Sequence, residues 1–333
     1  MNIQLNKLSN FLISTLCIFS VILLNMVSCQ ADDEKWKSKI TPHLYWQGYN
    51  GSDTHNNTVN IGAYLNSEYL DSYKLTIGYY NTNTSLKNNA LLSENILHLS
   101  GQHDIFLDIM PGKLTLRLDT YFGQSILEYN TANPPGSMSA GGMGNSGKIT
   151  GGSATIKETA NMSSFQPQIG YSNFAKTFYA DIGYAYSKYN GTSSTEVKQL
   201  TPTVGFFWND SYDWLQLRAY QINIDDTASA YNKNKFESLE IKYTHWIKDS
   251  VLNNIEHLRL SALIGDRILA VDPDARIIYS SADMQTGSIE ASVQWKISKT
   301  DKILTLVNYS LYTNQASLDD YNSVLLYINY QNQ

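Results

Sequence analysis

A histidine and a serine two positions apart, His98 and Ser100, are the residues of this sequence with the clearest potential for covalent chemistry. A histidine within hydrogen-bond reach of a hydroxyl can act as a general base and make the serine a nucleophile. Alternate residues of a β-strand share one face, so both side chains would point the same way. Leu97 and Leu99 occupy the opposite face, which predicts that the pair lies on a polar surface. We therefore expect a polar lining here, and a hydrolase is the less favoured hypothesis.

Charged residues of both signs occupy the polar face of other segments in which apolar and polar residues alternate. Facing rows of opposite charge could form a transverse field that discriminates between solutes. The same charges could instead pair between neighbouring strands and stiffen them, and the sequence leaves both possibilities open. The candidates are Arg117, Asp119, Asp181, Arg218, Glu240, Lys242, Arg259, Arg267, Glu290 and Lys296.

Tyrosines share these polar positions at Tyr45, Tyr64, Tyr121 and Tyr220. Aromatic faces among polar groups suit sugar rings. The chain contains 24 tyrosines, so its tyrosine-rich composition is the more favoured explanation. The other histidines show no metal-ligand spacing, and the sequence predicts no metal site and no cofactor.

The glycine-rich segment 139–152 places Gly144, Gly147 and Lys148 close together, as in a phosphate-binding loop. No helical pattern follows it, so the physical basis of such a loop is missing. It is better explained as part of a long connection over residues 130–160, which could fold inward as a constriction or form a surface tip. Acidic pairs in other predicted loops would be solvated or would form a rim that attracts cations: Asp225-Asp226, Asp272-Pro273-Asp274 and Asp319-Asp320.

The N-terminus has the features of a secretory signal over residues 1–31, with Lys7 before an apolar run from Phe11 to Leu24. This run is shorter than the roughly 20 residues that a membrane-spanning helix needs. Cys29 could be the lipidated residue of a lipoprotein, or it could lie in an ordinary cleavage site. Residues 32–39 are predicted to form a short periplasmic segment. The formal net charge of −6 argues against a nucleic-acid partner, which requires a basic surface.

Period-two alternation dominates the chain from residue 40 onward, most clearly over 288–298. The segments run to about eleven residues or more, which is longer than strands of soluble sheets and long enough to cross a bilayer when tilted. Short and long connections alternate between them. The fold class is therefore all-β, a transmembrane up-and-down antiparallel barrel of about fourteen strands over 40–333. The predicted strands are 40–50, 57–67, 71–83, 93–108, 112–129, 161–174, 176–190, 195–209, 212–225, 235–248, 255–271, 285–298, 302–313 and 320–331.

This pattern resembles the bacterial outer-membrane β-barrel class, and porin-like channels in particular, over the whole chain from residue 40. The resemblance implies a Gram-negative outer membrane, with lipid, lipopolysaccharide and the barrel-assembly machinery as partners. Such barrels usually end on an aromatic residue, whereas here Tyr330 is followed by Gln331, Asn332 and Gln333. Outer-membrane phospholipases carry a His and a Ser at the spacing of His98 and Ser100, but that pair must meet lipid.

Fourteen strands enclose a narrow pore or a ligand-holding lumen, between the filled interior of eight strands and the wide channel of sixteen. The sequence therefore predicts a channel for small hydrophilic solutes, with saccharides among the candidates. Two alternatives stay open, a dedicated oligosaccharide or polysaccharide conduit and a closed structural or adhesive barrel. Oligomeric state does not follow from the sequence.

Overall fold

The computed structural model describes residues 36–107, 111–130, 155–191, 194–226, 233–248, 254–278, 283–315 and 318–332. The chain divides into a first unit of residues 1–37 and a second of residues 38–333. The predicted signal segment, Cys29 and residues 131–154 of the long connection lie outside the described residues.

Fourteen antiparallel strands form a closed barrel in which each strand pairs with its neighbours along the chain. The first and last strands pair with each other, with Tyr45 opposite Tyr327, and so close the wall. The predicted fold class is confirmed. The wall strands are β1 (Trp36–Asn50), β2 (His55–Tyr69), β3 (Tyr73–Leu86), β4 (Leu91–Leu107), β5 (Gly112–Asn130), β6 (Thr155–Asn173), β7 (Phe178–Asn190), β8 (Ser194–Trp208), β9 (Asp213–Asp226), β10 (Lys235–Trp246), β11 (Ile255–Arg267), β14 (Met284–Lys296), β15 (Asp301–Thr313) and β16 (Asp320–Asn332).

Three strand boundaries differ from those predicted by four residues or more. β1 begins at Trp36, so residues 36–39, predicted as part of a short periplasmic segment, are part of the first strand. β6 begins at Thr155, inside the predicted loop 130–160, because an extension that carries ion pairs such as Lys157–Glu128 has no apolar alternation to reveal it. β11 ends at Arg267 instead of residue 271. A short 3-10 helix spans Lys87–Asn89, and among the described residues no helix is long and apolar enough to span a membrane.

The outer face of the wall is apolar and the inner face is polar. On β14, for example, Ile289 is 67% exposed on the outside, whereas Ser292 on the inside is 3% exposed. A closed barrel satisfies its backbone hydrogen bonds between strands, which is the condition for crossing lipid without helices. Aromatic side chains such as Trp46, Trp208 and Tyr330 are exposed on the outer face near the strand ends, as in interfacial girdles. The barrel is therefore built to span a membrane.

The connection between β11 and β14 turns into the barrel. It contains a two-stranded hairpin of β12 (Val271–Asp272) and β13 (Ile277–Ile278), which pair with each other and not with the wall. We call residues 268–278 the plug hairpin. Its apolar residues Ile268, Leu269 and Val271 are at most 2% exposed. They pack against inward-facing wall residues that include Tyr80, Ile96, Tyr121, Tyr220, Ile222 and Phe236.

A glycine near the end of β11 allows the chain to leave the wall. Gly265 has a φ of +98°, and the register with β14 shifts between Ile264 and Arg267. A Cβ atom at Gly265 would lie 2.5 Å from the carbonyl oxygen of Glu237. Only glycine adopts this conformation readily at such close approach. The chain turns inward just after this point, which is why the predicted extension of the strand to residue 271 is wrong.

Candidate functional site

The two ends of the barrel differ in their connections. The turn side holds the first residues of β1, the last residues of β16 and the short links between strands. These links are 70–72, 174–177, 209–212 and 297–300. The loop side holds the other end of every strand, including the connection that carries the plug hairpin. In barrels of this layout the short turns face the periplasm.

The plug hairpin enters from the loop side and its tip reaches the turn-side half of the wall. The tip residue Asp274 is hydrogen bonded to Gln216 and Arg218, which lie in the turn-side half of β9. The backbone oxygen of Pro273 accepts a hydrogen bond of 2.9 Å from Arg117 of β5. The tip of the plug hairpin therefore lies past the middle of the barrel, toward the turn side.

A cluster of basic side chains holds the tip. Arg218 Nη1 and Lys242 Nζ lie 2.9 Å and 3.0 Å from Asp274 Oδ2. Asp272 lies 3.8 Å from Arg218 and 3.7 Å from Arg267, and its Oδ1 accepts the backbone N–H of Asp274. The acidic pair expected to be solvated or at a rim is therefore inside the lumen, where ion pairs to buried basic side chains hold it. We call Arg218, Lys242, Asp272 and Asp274 the clamp.

Hydrogen bonds and a cation–π contact fix the rest of the plug hairpin to other strands. The Gln199 side chain of β8 makes two hydrogen bonds, of 2.7 Å and 3.0 Å, with the backbone of Val271. Tyr64 of β2 donates to the backbone oxygen of Arg276, whose guanidinium lies 5.8 Å from the Tyr64 ring centroid. The Tyr80 hydroxyl of β3 accepts the backbone N–H of Ile278. These contacts lie on opposite sides of the barrel, so the plug hairpin bridges the lumen.

The predicted charged residues have several roles. Contacts to the plug hairpin come from Arg117, Arg218, Lys242 and Arg267. Contact with the plug hairpin is a third role for these charges, beside solute discrimination and pairing between neighbouring strands. The remaining predicted charges lie elsewhere on the wall: Glu240 is 3.0 Å from Lys242, Asp119 is 2.7 Å from Arg117, Asp181 is buried opposite Thr203, Arg259 donates to Thr244, Glu290 lines a cavity and Lys296 lies opposite Lys302 at the turn side.

His98 faces the lumen, as the alternation predicts. It is fully buried, its Nε2 lies 2.9 Å from Asp119 Oδ1, and its ring stacks on Tyr121 with centroids 4.6 Å apart. This hydrogen bond points along the wall toward Asp119 and not toward Ser100. The side chain is thus a buried part of the wall beneath the plug hairpin, away from lipid.

The four predicted lumen tyrosines divide into two pairs. Tyr121 and Tyr220 are fully buried in the apolar cluster under the plug hairpin. Tyr45 and Tyr64 line open space. Only the second pair is therefore placed to meet a solute.

A cavity of about 530 Å³ remains between the plug hairpin and the wall formed by β1–β4, β10, β11 and β14–β16. Its lining extends from Tyr49 and Tyr312 at the loop side to Lys39 and Gln331 at the turn side. We call this space the side passage. At mid-height it is lined by Glu240, Lys242, Arg259 and Glu290. In the part of the chain that the structure describes, no three His, Cys, Asp or Glu side chains are grouped as metal ligands.

The sequence carried a signal for the plug hairpin that alternation alone overlooked. Residues 268–271 are four consecutive apolar residues, which cannot alternate between lipid and lumen. An Asp-Pro-Asp turn and a second apolar pair, Ile277 and Ile278, follow. Where the alternation of apolar and polar residues is lost on both sides of a turn, the two segments indicate a hairpin that is buried on all sides.

No family model matches the chain, and no curated protein matches it in sequence. Among solved structures, it is similar to a Pseudomonas aeruginosa FadL homologue, with 9% identity, a TM-score of 0.50 and 90% of each chain covered. It is also similar to the P. putida toluene transporter TodX, with 11% identity, a TM-score of 0.50 and 90% of each chain covered. A TodX monoaromatic hydrocarbon channel deltaS2 mutant matches with 10% identity and a TM-score of 0.51, over 90% of this chain and 91% of that one. At such identities the likeness concerns the fold, and the chain has the fold of the outer-membrane β-barrel class, as predicted.

Proposed function

We propose that the chain is a channel of the Gram-negative outer membrane that admits small hydrophilic solutes through the side passage. The observation that carries this proposal is a cavity whose lining includes residues from both ends of the barrel. Its volume of about 530 Å³ is typical of sites for small molecules and leaves little room for a folded polymer.

The lining of the side passage supports a polar solute. Glu290 and Arg259 face it at mid-height, beside the Glu240–Lys242 ion pair. A hydrocarbon in contact with these groups would remove their water without replacing its hydrogen bonds, which is costly. Tyr45 adds an aromatic ring on which a saccharide could stack, whereas the Tyr64 ring is already stacked on His43.

A hydrocarbon channel is the second candidate. Three leucines, Leu304, Leu306 and Leu325, line one wall of the side passage. The similar structures named above include a toluene transporter. The two candidates differ in the solute that enters, which is hydrophilic in the first and a hydrocarbon in the second. They also differ in whether a hydrocarbon would compete with the entering solute.

Liposome swelling tests the proposal. Vesicles that contain the folded chain should swell faster in an isotonic pentose solution than protein-free vesicles, and saturating toluene should not slow the swelling. Inhibition by toluene would favour the hydrocarbon candidate, and equally fast entry of a long oligosaccharide would favour the polymer conduit. A folded barrel that leaves swelling at the protein-free rate would contradict the channel and favour a closed structural or adhesive barrel.

A further inference from the structure

The loop-side end of the side passage is lined by five side chains that the proposed function does not use. They come from the loop-side ends of four wall strands and from the residue just before β14. All five line the cavity: Tyr49, His55, Asp283, Tyr312 and Tyr321. We call them the aromatic mouth.

The rings of the aromatic mouth form a continuous wall. Tyr312 and Tyr321 are opposite each other on β15 and β16, with ring centroids 5.2 Å apart and an interplanar angle of 12°. Tyr321 stacks on His55 at 5.9 Å, and His55 contacts Tyr49 at 4.9 Å. The π-faces of such rings carry partial negative charge, which attracts cations.

A carboxylate is held within this wall of rings. Asp283 Oδ2 accepts a hydrogen bond of 2.6 Å from the Tyr321 hydroxyl and lies 3.5 Å from His55 Nδ1. Asp283 is only 9% exposed. A carboxylate in a site that excludes most water attracts a cation more strongly than one in bulk solvent.

Neighbouring charges add to the negative potential. Asp53, Asp319 and Asp320 lie in or beside the connections at this sector of the loop side. The basic side chains described there, Lys87 and Arg267, are already within 4 Å of carboxylates. A cation that approaches the aromatic mouth is therefore attracted toward it.

Resting on the proposed function, we propose that the aromatic mouth is an entry site for solutes that carry an alkylammonium group. The methyl or methylene groups of such a cation can contact the rings while its charge faces Asp283. A small metal cation would keep its water and gain less from the rings. A neutral sugar could stack on the same rings but would gain nothing from the charge of Asp283.

The test is block of potassium chloride current through the full chain in a planar bilayer, with choline as the probe. Choline added on the loop side should reduce the current, and Asp283→Asn should weaken its apparent affinity by about tenfold, the effect of losing roughly 1.4 kcal/mol. Tyr312→Leu should also weaken it, because this variant removes a ring and keeps the charge. Glucose should show no dependence on Asp283.

Asp225→Asn is the matched control. Asp225 is also a loop-side acid, but it is 71% exposed, pairs with Lys198 at 3.0 Å and is not part of the cavity lining. Choline block should be unchanged in this variant. Equal choline block in the wild type and in Asp283→Asn would overturn the inference and leave the channel intact.

A second readout separates the two proposals. If the folded chain passes no current, the proposed channel fails, and choline binding to the detergent-solubilised chain can still be followed by tyrosine and tryptophan fluorescence. Saturable binding that Tyr312→Leu and Asp283→Asn both weaken would support the aromatic mouth. Absence of choline binding to the folded wild-type chain would overturn it.

Discussion

At the scale of single residues, four basic side chains of the lumen contact the plug hairpin: Arg117, Arg218, Lys242 and Arg267. Arg218 is 2% exposed and lies within 4 Å of Asp272, Asp274 and Glu240. Charges removed from water in this way must be paired, and a pair that loses one partner is left with a costly buried charge. The clamp is therefore the point at which one substitution should affect the plug hairpin most.

Asp274→Ala should release the tip of the plug hairpin. It removes the nearest carboxylate of Arg218 and Lys242 and leaves them with Asp272 and Glu240, so the cost should be smaller than the roughly 3–5 kcal/mol of a fully uncompensated buried charge. Single-channel recordings should show larger or fluctuating conductance. Asp266→Asn is the control, because Asp266 near the end of β11 pairs with the exposed Lys233 just before β10 and is outside the clamp. Conductance equal to that of the wild type in Asp274→Ala would show that the clamp does not hold the plug hairpin in place.

Glu290→Gln should lower the ratio of cation to anion permeability. Glu290 lines the side passage and makes no hydrogen bond or ion pair with the described residues, so its charge acts on the solution in the passage. Reversal potentials across a potassium chloride gradient measure this ratio. Glu256→Gln is the matched control, because Glu256 pairs with Lys302 at 2.9 Å near the turn side and is not part of the cavity lining. An unchanged ratio in Glu290→Gln would remove this residue from the permeation path.

At the scale of elements, alternation predicts the wall well because lipid and water impose opposite demands on the two faces of each strand. The fourteen predicted strands correspond to the fourteen observed ones. His98 faces the lumen, as the alternation of apolar and polar residues in its strand predicts. The plug hairpin was missed because it meets no lipid, so the rule that reveals the wall does not apply to it. The aromatic mouth was missed for a related reason, since Tyr49 and Tyr312 at strand ends resemble girdle residues until the register places them inside.

Gly265→Val should prevent β11 from ending where it does. The valine would need a positive φ, at a cost of roughly 1–3 kcal/mol, and its Cβ would collide with the backbone of Glu237. The yield of barrel that resists unfolding in cold detergent should fall sharply. Gly287→Ala is the control, because the nearest atom to its Cβ would be a carbonyl oxygen at 3.4 Å. A normal yield for Gly265→Val would mean that the turn into the lumen does not depend on this glycine.

At the scale of the whole molecule, the barrel wall and the plug hairpin together determine the size of the opening. A wall of fourteen strands alone would enclose a wider lumen than the side passage that remains. The sequence predicted the width of the wall but placed the candidate constriction in residues 130–160, most of which lie outside the described residues. The described occupant of the lumen is the connection between β11 and β14.

The most direct test of this account is the single-channel conductance of a variant in which a short glycine-serine link replaces residues 268–278. Recordings in potassium chloride should show a small, steady conductance for the wild type and a severalfold larger one for the variant, with folding of both verified by their mobility on unheated gels. Equal conductances from two folded barrels would contradict the account, because they would mean that the plug hairpin does not limit the opening.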